Sequence, residues 1–130
     1  MASIFSSIIS GELPAFIAAE DENHIAFLDI NPNAVGHTLC VPKKETDKLF
    51  DLDEEAYINL MRFSRRVATA LRQVVSCKRI GLSVIGLEVP HVHVHLIPLN
   101  EMAEATFQKK TSLSKEEMKT LAAKINAAFV

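Results

Sequence analysis

Three of the chain's five histidines stand at every second position in "HVHVHLIP", residues 91 to 98. Alternate side chains of a β-strand share one face, about 6.6–6.8 Å apart for each two-residue step. His91, His93 and His95 therefore project to one side, and Val92, Val94 and Leu96 to the other. The apolar side explains how such a strand is anchored. The imidazole side calls for a separate reason.

Three readings compete. The first is a row of satisfied histidines on an exposed sheet face. The second is a metal site, because imidazoles two residues apart can converge on zinc. A catalytic metal site would need a further ligand from elsewhere: no Asp or Glu lies between His91 and Pro98, which leaves His37 or His24 to complete it. The third is nucleophilic catalysis. An imidazole with a pKa near 6.5 is about three-quarters neutral at pH 7 and able to attack phosphorus. Neighbouring imidazoles could orient it, hold its tautomer and protonate a departing group. Crowding also opposes multiple protonation, since like charges repel. That arrangement suits phosphoryl or nucleotidyl transfer without a metal.

The elements that must position this row can be read from pattern. Ser3 to about Ser10 reads as a short helix, stopped by Gly11. "AFIAAE" and "HIAFLD" read as strands joined across "DEN", and "INPNAVG" as a loop. "HTLCVP" is a third strand. Asp51 and Glu54 form a D-x-x-E start for a long helix reaching about Val75. Its apolar positions are Tyr57, Leu60, Met61, Val67, Ala68, Leu71 and Val75, with Arg62, Arg65, Arg66 and Arg72 on a solvated face. "RIGLSVIG" and "HVHVHLIP" supply strands four and five. A Ser114–Glu117 capping box then opens a C-terminal helix ending near Phe129. The sum is an α+β domain with five mainly antiparallel strands and two or three helices.

Length and composition are consistent with one domain over residues 1–130: a core over 1–100 carrying the catalytic strand 91–98, then a loop and helix over 101–130. A net charge of −2 gives no reason to expect nucleic acid or an acidic membrane as partner. The start offers no basic, continuously apolar leader, and no run is long enough to span a bilayer. Cys40 and Cys77 belong to no C-x-x-C pair and read as reduced thiols, so a cytoplasmic location is expected.

"HVHVHLI" resembles the signature of the histidine triad family of nucleotide hydrolases and transferases. "IFSSIISGELPAF", "EDENHIAFLDINPNAVGHTLCVPKK" and "GLEVPHVHVHLIP" resemble that family's segments in their order, covering most of residues 3 to 98. The resemblance implies a two-layer subunit whose five-stranded sheet joins a second one in a homodimer. It implies a purine nucleotide or nucleoside phosphate conjugate as ligand and no cofactor. By matching position, His93 would attack the α-phosphate, and water would hydrolyse the resulting nucleotidyl-histidine. His91 and His37 would orient His93, and His95 would contact the phosphate or leaving group. Asp29 would accept hydrogen bonds from the ribose, and Phe5, Ile8, Phe27, Leu28 and Ile30 would surround the base.

Three departures stand out. Some relatives hold a structural zinc partly through C-x-x-C in the first helix, where this chain has Ser3 and Ser6. Glu45 replaces a histidine after "PK". Serine is a poor zinc ligand, so no metal is expected. Leu87 and Glu88 stand where a glutamine and a small hydroxyl residue are usual. The loop "GLSVIG" before them is short and lacks an asparagine. Nucleoside phosphoramidates are the expected substrates, with dinucleoside polyphosphate cleavage or a nucleotide-binding regulatory module as the alternatives. Lys109 and Lys110 could reach a phosphate, but a solvated loop is the simpler reading.

Overall fold

The computed structural model describes residues 3–130. Five strands form one antiparallel sheet: β1 (Ile17–Glu20), β2 (His24–Leu28), β3 (Thr38–Pro42), β4 (Arg79–Ser83) and β5 (Val94–Leu99), in the order β1-β2-β3-β5-β4. The helices are α1 (Ile4–Ser10), α2 (Glu54–Val74) and α3 (Lys115–Ala128). Single 3₁₀ turns occupy Leu49–Asp51 and Met102–Ala105.

The alternation of β2 sorts its side chains between two cores. Ala26 and Leu28 face α2 and α3, joining Leu60, Phe63, Val67, Leu71, Met118 and Ile125. Ile25 and Phe27 face the other way, packing with Phe5 of α1, Leu39 and Val41. Cross-strand pairing carries the division into β5. Cys40 sits opposite Val94 on the helix side, and Leu39 opposite His95 on the α1 side. Val92, Val94 and Leu96 accordingly pack in the larger core, leaving the histidines on the α1 face.

Two boundaries differ from the sequence reading. Helix α2 is capped by Asp53, which accepts from the Ala56 N–H at 2.8 Å, while Asp51 lies in the preceding 3₁₀ turn. The D-x-x-E spacing misplaced the start by two residues because a second aspartate follows the first. The long helix also buries Phe63, and Tyr57 stays exposed. The second correction concerns the triad: β5 begins only at Val94, so His91 and His93 precede the ladder. Pro90 carries no N–H, and the Val92 N–H bonds instead to the Thr46 carbonyl at 2.7 Å. The side-to-side alternation persists without the strand. Helix α3 opens on the expected capping box, with Glu117 N–H donating to Ser114 Oγ and Ser114 N–H to Glu117 Oε1.

Gly36 shows how tightly the loop before β3 is seated. Its φ of 95° lies in the left-handed region, and a Cβ there would meet Val75 Cγ2 at 2.9 Å. That close approach lets the next residue, His37, turn beneath the sheet face beside the triad.

Candidate functional site

Two of the three histidines line a cavity of about 690 Å³, within the range that holds a small-molecule ligand. His93 and His95 line it together with Phe5, Leu39, Asp29 and Glu88. His91 is fully buried behind them.

Fixed donors and acceptors dictate the tautomer of each ring. His93 Nδ1 lies 2.7 Å from the His91 carbonyl oxygen, which can only accept. The Nδ1 of His93 therefore carries the proton and donates, leaving Nε2 as a bare lone pair on a ring that lines the cavity. A fixed donor likewise sets the tautomer of His37. The Asn33 backbone N–H donates to His37 Nδ1 at 3.0 Å, so the proton of neutral His37 sits on Nε2. It donates to His95 Nδ1 at 2.9 Å, which puts the His95 proton on Nε2. The site thus presents one acceptor nitrogen, on His93, and one donor nitrogen, on His95. Their rings stand 4.9 Å apart.

Neutrality follows from the surroundings. Burial, followed by the neighbouring His95, pushes the His37 imidazole down to about 3. Burial and then His93 push His95 down to about 4. Burial lowers His93 as well, with the His91 carbonyl acting in the opposite direction. A desolvated, neutral His93 is a competent nucleophile at pH 7.

Two expected arrangements need correction. His37 touches His95 rather than His93. His91 orients His93 through its backbone carbonyl, while its side chain turns away: His91 Nε2 donates to the Pro42 carbonyl at 2.8 Å, and His91 Nδ1 accepts from Ser3 Oγ at 2.9 Å. Of the five apolar residues assigned to a base pocket, Phe5 alone lines the cavity. Ile8 and Phe27 pack behind it in the smaller core. Leu28 belongs to the larger core, across the sheet, because strand parity points it away. Ile30 is 79% exposed. Asp29 lies on the cavity wall, with Oδ1 accepting from the Asn31 N–H at 2.8 Å and Oδ2 3.6 Å from His37 Nε2. Burial raises its carboxyl.

Sequence reasoning missed a second layer. Asn33 is 1% exposed and makes three different ties: its N–H to His37, its Nδ2 to the Glu104 carbonyl at 2.9 Å, and its Oδ1 from Lys110 at 2.8 Å. Phe107 closes the site from the same side, its ring 4.8 Å from His95 and 5.9 Å from His37. It holds a φ of 64°, a left-handed conformation costing a bulky residue about 1–2 kcal/mol. Such strain persists where the surroundings over-determine it, and here the ring is held against two histidines.

Two groupings invite a metal, and neither fits. Asp29, His37 and His95 bring ligand atoms within 4.8 Å of one another. The Asn33 N–H, however, requires a lone pair on His37 Nδ1, so Nε2 holds the proton and has none to offer a cation. Ser3, Ser6 and Glu45 meet His91 at the positions where the resemblance raised the question of zinc. Here Glu45 Oε1 accepts from the Ser3 N–H at 2.6 Å and from Ser6 Oγ at 2.7 Å, holding its carboxyl down at about 2. A closed zinc site needs four good donors. This group has two at most, and His91 Nδ1 is already engaged by Ser3. Hydrogen bonds do the joining instead. The remaining metal candidate, His24, stacks on Phe63 in the larger core, away from the cavity.

Comparison with known proteins places the fold. A family model described as "HIT domain" matches residues 10–102. Adenosine 5'-monophosphoramidase HNT1 of Saccharomyces cerevisiae is 39% identical over 98 residues, covering 75% of this chain and 62% of that protein. A crystal structure of a Hit-like protein involved in cell-cycle regulation from Bartonella henselae superposes with a TM-score of 0.84 at 31% identity. It covers 98% of this chain and 96% of that one. A zinc-bound histidine triad family protein from Mycobacterium smegmatis gives 0.80 at 27% identity, covering 98% and 93%. With a HIT domain match over residues 10–102 and a fold shared across nearly the whole chain, this protein belongs to the HIT domain, or histidine triad, family.

Proposed function

We propose that the chain hydrolyses nucleoside 5'-monophosphate conjugates, phosphoramidates foremost, at the α-phosphate. The observation that carries this reading is the forced tautomer pair: a bare His93 Nε2 beside a protonated His95 Nε2 in one cavity. His93 Nε2 attacks phosphorus and forms a P–N bond. The bond to the departing amine breaks, its electron pair stays on the amine nitrogen, and that nitrogen takes a proton from solvent at the open mouth. His95 Nε2–H donates to a phosphoryl oxygen as charge builds there. Water then attacks phosphorus, His93 leaves with its electron pair, and the water's proton returns to solvent. Asp29 receives the ribose hydroxyls, and Phe5 and Leu39 support the nucleoside.

Exposed Glu88 on the cavity wall suits the release of an amine, which departs neutral or cationic. It opposes polyanionic leaving groups such as a second nucleotide. The yeast relative's name, a monophosphoramidase, supports the same substrate class. A homodimer in the cytoplasm, without nucleic acid or membrane partners, completes the reading; among the described residues no helix is long and apolar enough to cross a membrane.

The test is turnover of an adenosine phosphoramidate with and without a chelator, in wild type and His93→Ala. Activity should survive the chelator and vanish in the variant. Wild-type rates in His93→Ala would refute the nucleophile, and loss of wild-type activity on chelation would restore the metal reading. Binding of nucleotide with no turnover of any conjugate would leave a regulatory module.

A further inference from the structure

We propose that Lys110 is the cation that receives the substrate's phosphate, carried into the site by the segment 101–111 acting as a fixed strap. The inference rests on the nucleotide reading above and extends it to a residue outside the triad.

Charge balance makes a cation necessary. The imidazoles facing the cavity are neutral, and its two ionisable acids are Asp29 and Glu88. A phosphate entering among them would meet negative charge from the acids and no counter-charge from the imidazoles. Among the described residues, Lys110 is the only cationic side chain lining the cavity.

The strap holds it there. The Asn33 amide donates to the Glu104 carbonyl, and the Thr111 N–H donates to the Pro32 carbonyl at 2.9 Å, pinning both ends of the segment to the loop before β3. Between them, Lys110 Nζ donates to the Asn31 carbonyl at 3.1 Å and to Asn33 Oδ1 at 2.8 Å, and it lies 5.2 Å from the Phe107 ring centroid. An ammonium has three N–H donors. Two are used in fixing its position, which leaves one for a ligand. The partners are neutral, so the positive charge is not cancelled. Its neighbour makes the contrast plain: Lys109 is paired with Glu101, whereas Lys110 makes no ion pair among the described residues. The field of Lys110 reaches the reactive groups, disfavouring protonation of His37 and His95 and favouring ionised Asp29.

Titration calorimetry with AMP and with adenosine separates phosphate recognition from a purely structural tether. Wild type should bind AMP more tightly than adenosine. Lys110→Gln keeps a side-chain amide able to reach Asn31 and Asn33 but removes the charge. It should weaken AMP by about tenfold or more, the worth of a charge-assisted hydrogen bond, and leave adenosine within about twofold. Lys110→Arg should retain most of the AMP preference. AMP affinity unchanged in Lys110→Gln overturns the proposal, as does a parallel loss of both ligands in that variant. If wild type binds neither ligand, the nucleotide reading itself falls, and Lys110 with it.

Discussion

Acid should loosen this fold through the histidine pair beneath the cavity, and the size of the effect can be worked from the structure. His37 and His95 have an ordinary pKa of 6.5 in the unfolded chain but titrate near 3 and 4 when folded. Folding therefore depresses both values. The stability they contribute is complete above pH 6.5, declines as pH falls below it, and is exhausted only near the folded values. Between pH 7 and pH 5 the unfolded imidazoles take up protons that the folded ones refuse, costing about 2 kcal/mol each and about 4 together. With an unfolding entropy of about 2.1 cal/mol/K per residue, the melting temperature should fall by about 15 °C over that interval. Carboxylates held low, such as Glu45 and Asp21, lose their contribution mostly at still lower pH. His95→Asn supplies the control. Its Oδ1 can accept the His37 Nε2–H, yet it cannot titrate, so the variant should show about half the wild-type fall. The assay is calorimetric or fluorimetric melting at half-unit pH steps. A melting temperature level to within about 3 °C from pH 7 to pH 5 would refute the buried neutral pair, as would identical slopes in the two proteins.

Two further outcomes follow from the same geometry. Ser3→Ala removes the hydroxyl donating to His91 Nδ1 and the cap of α1, and should cost about 1–3 kcal/mol in denaturant unfolding; a loss within 0.5 kcal/mol, the ordinary surface range, would show that the serine cluster holds nothing. Glu88→Ser should raise turnover of a diadenosine polyphosphate relative to an adenosine phosphoramidate by about tenfold, one removed repulsion of about 1.4 kcal/mol; an unchanged ratio of kcat/KM would place the carboxylate away from the leaving group.

The sequence made the two faces of the site strand legible, because histidine and valine alternate so strictly that position alone sorts them. It also made the capping box at Ser114 legible, since both partners of that motif lie within one turn. What it hid is non-local. Nothing near His37 announces that its ring meets His95, 58 residues on, or that the Asn33 N–H decides where its proton sits. Asn33 lay in a stretch that its Asn, Pro and Gly content marked only as a loop. Lys110 looked solvated, and it is exposed; its role comes from a tether to residues 77 and 79 positions earlier. Leu28 and Ile30 show the reverse error. The family resemblance placed both around a base, but strand parity sends one into the opposite core and the end of β2 leaves the other in solvent.

The central claim is that His93 Nε2 becomes covalently bonded to phosphorus. Rapid quenching of wild type with an adenosine phosphoramidate, followed by peptide mass analysis, tests it directly. A transient nucleotidyl adduct should appear on the peptide carrying residues 91–95, located at His93, formed no more slowly than steady-state turnover and lost in His93→Asn. Full turnover with no adduct on any time scale, or an adduct that persists in His93→Asn, would contradict it.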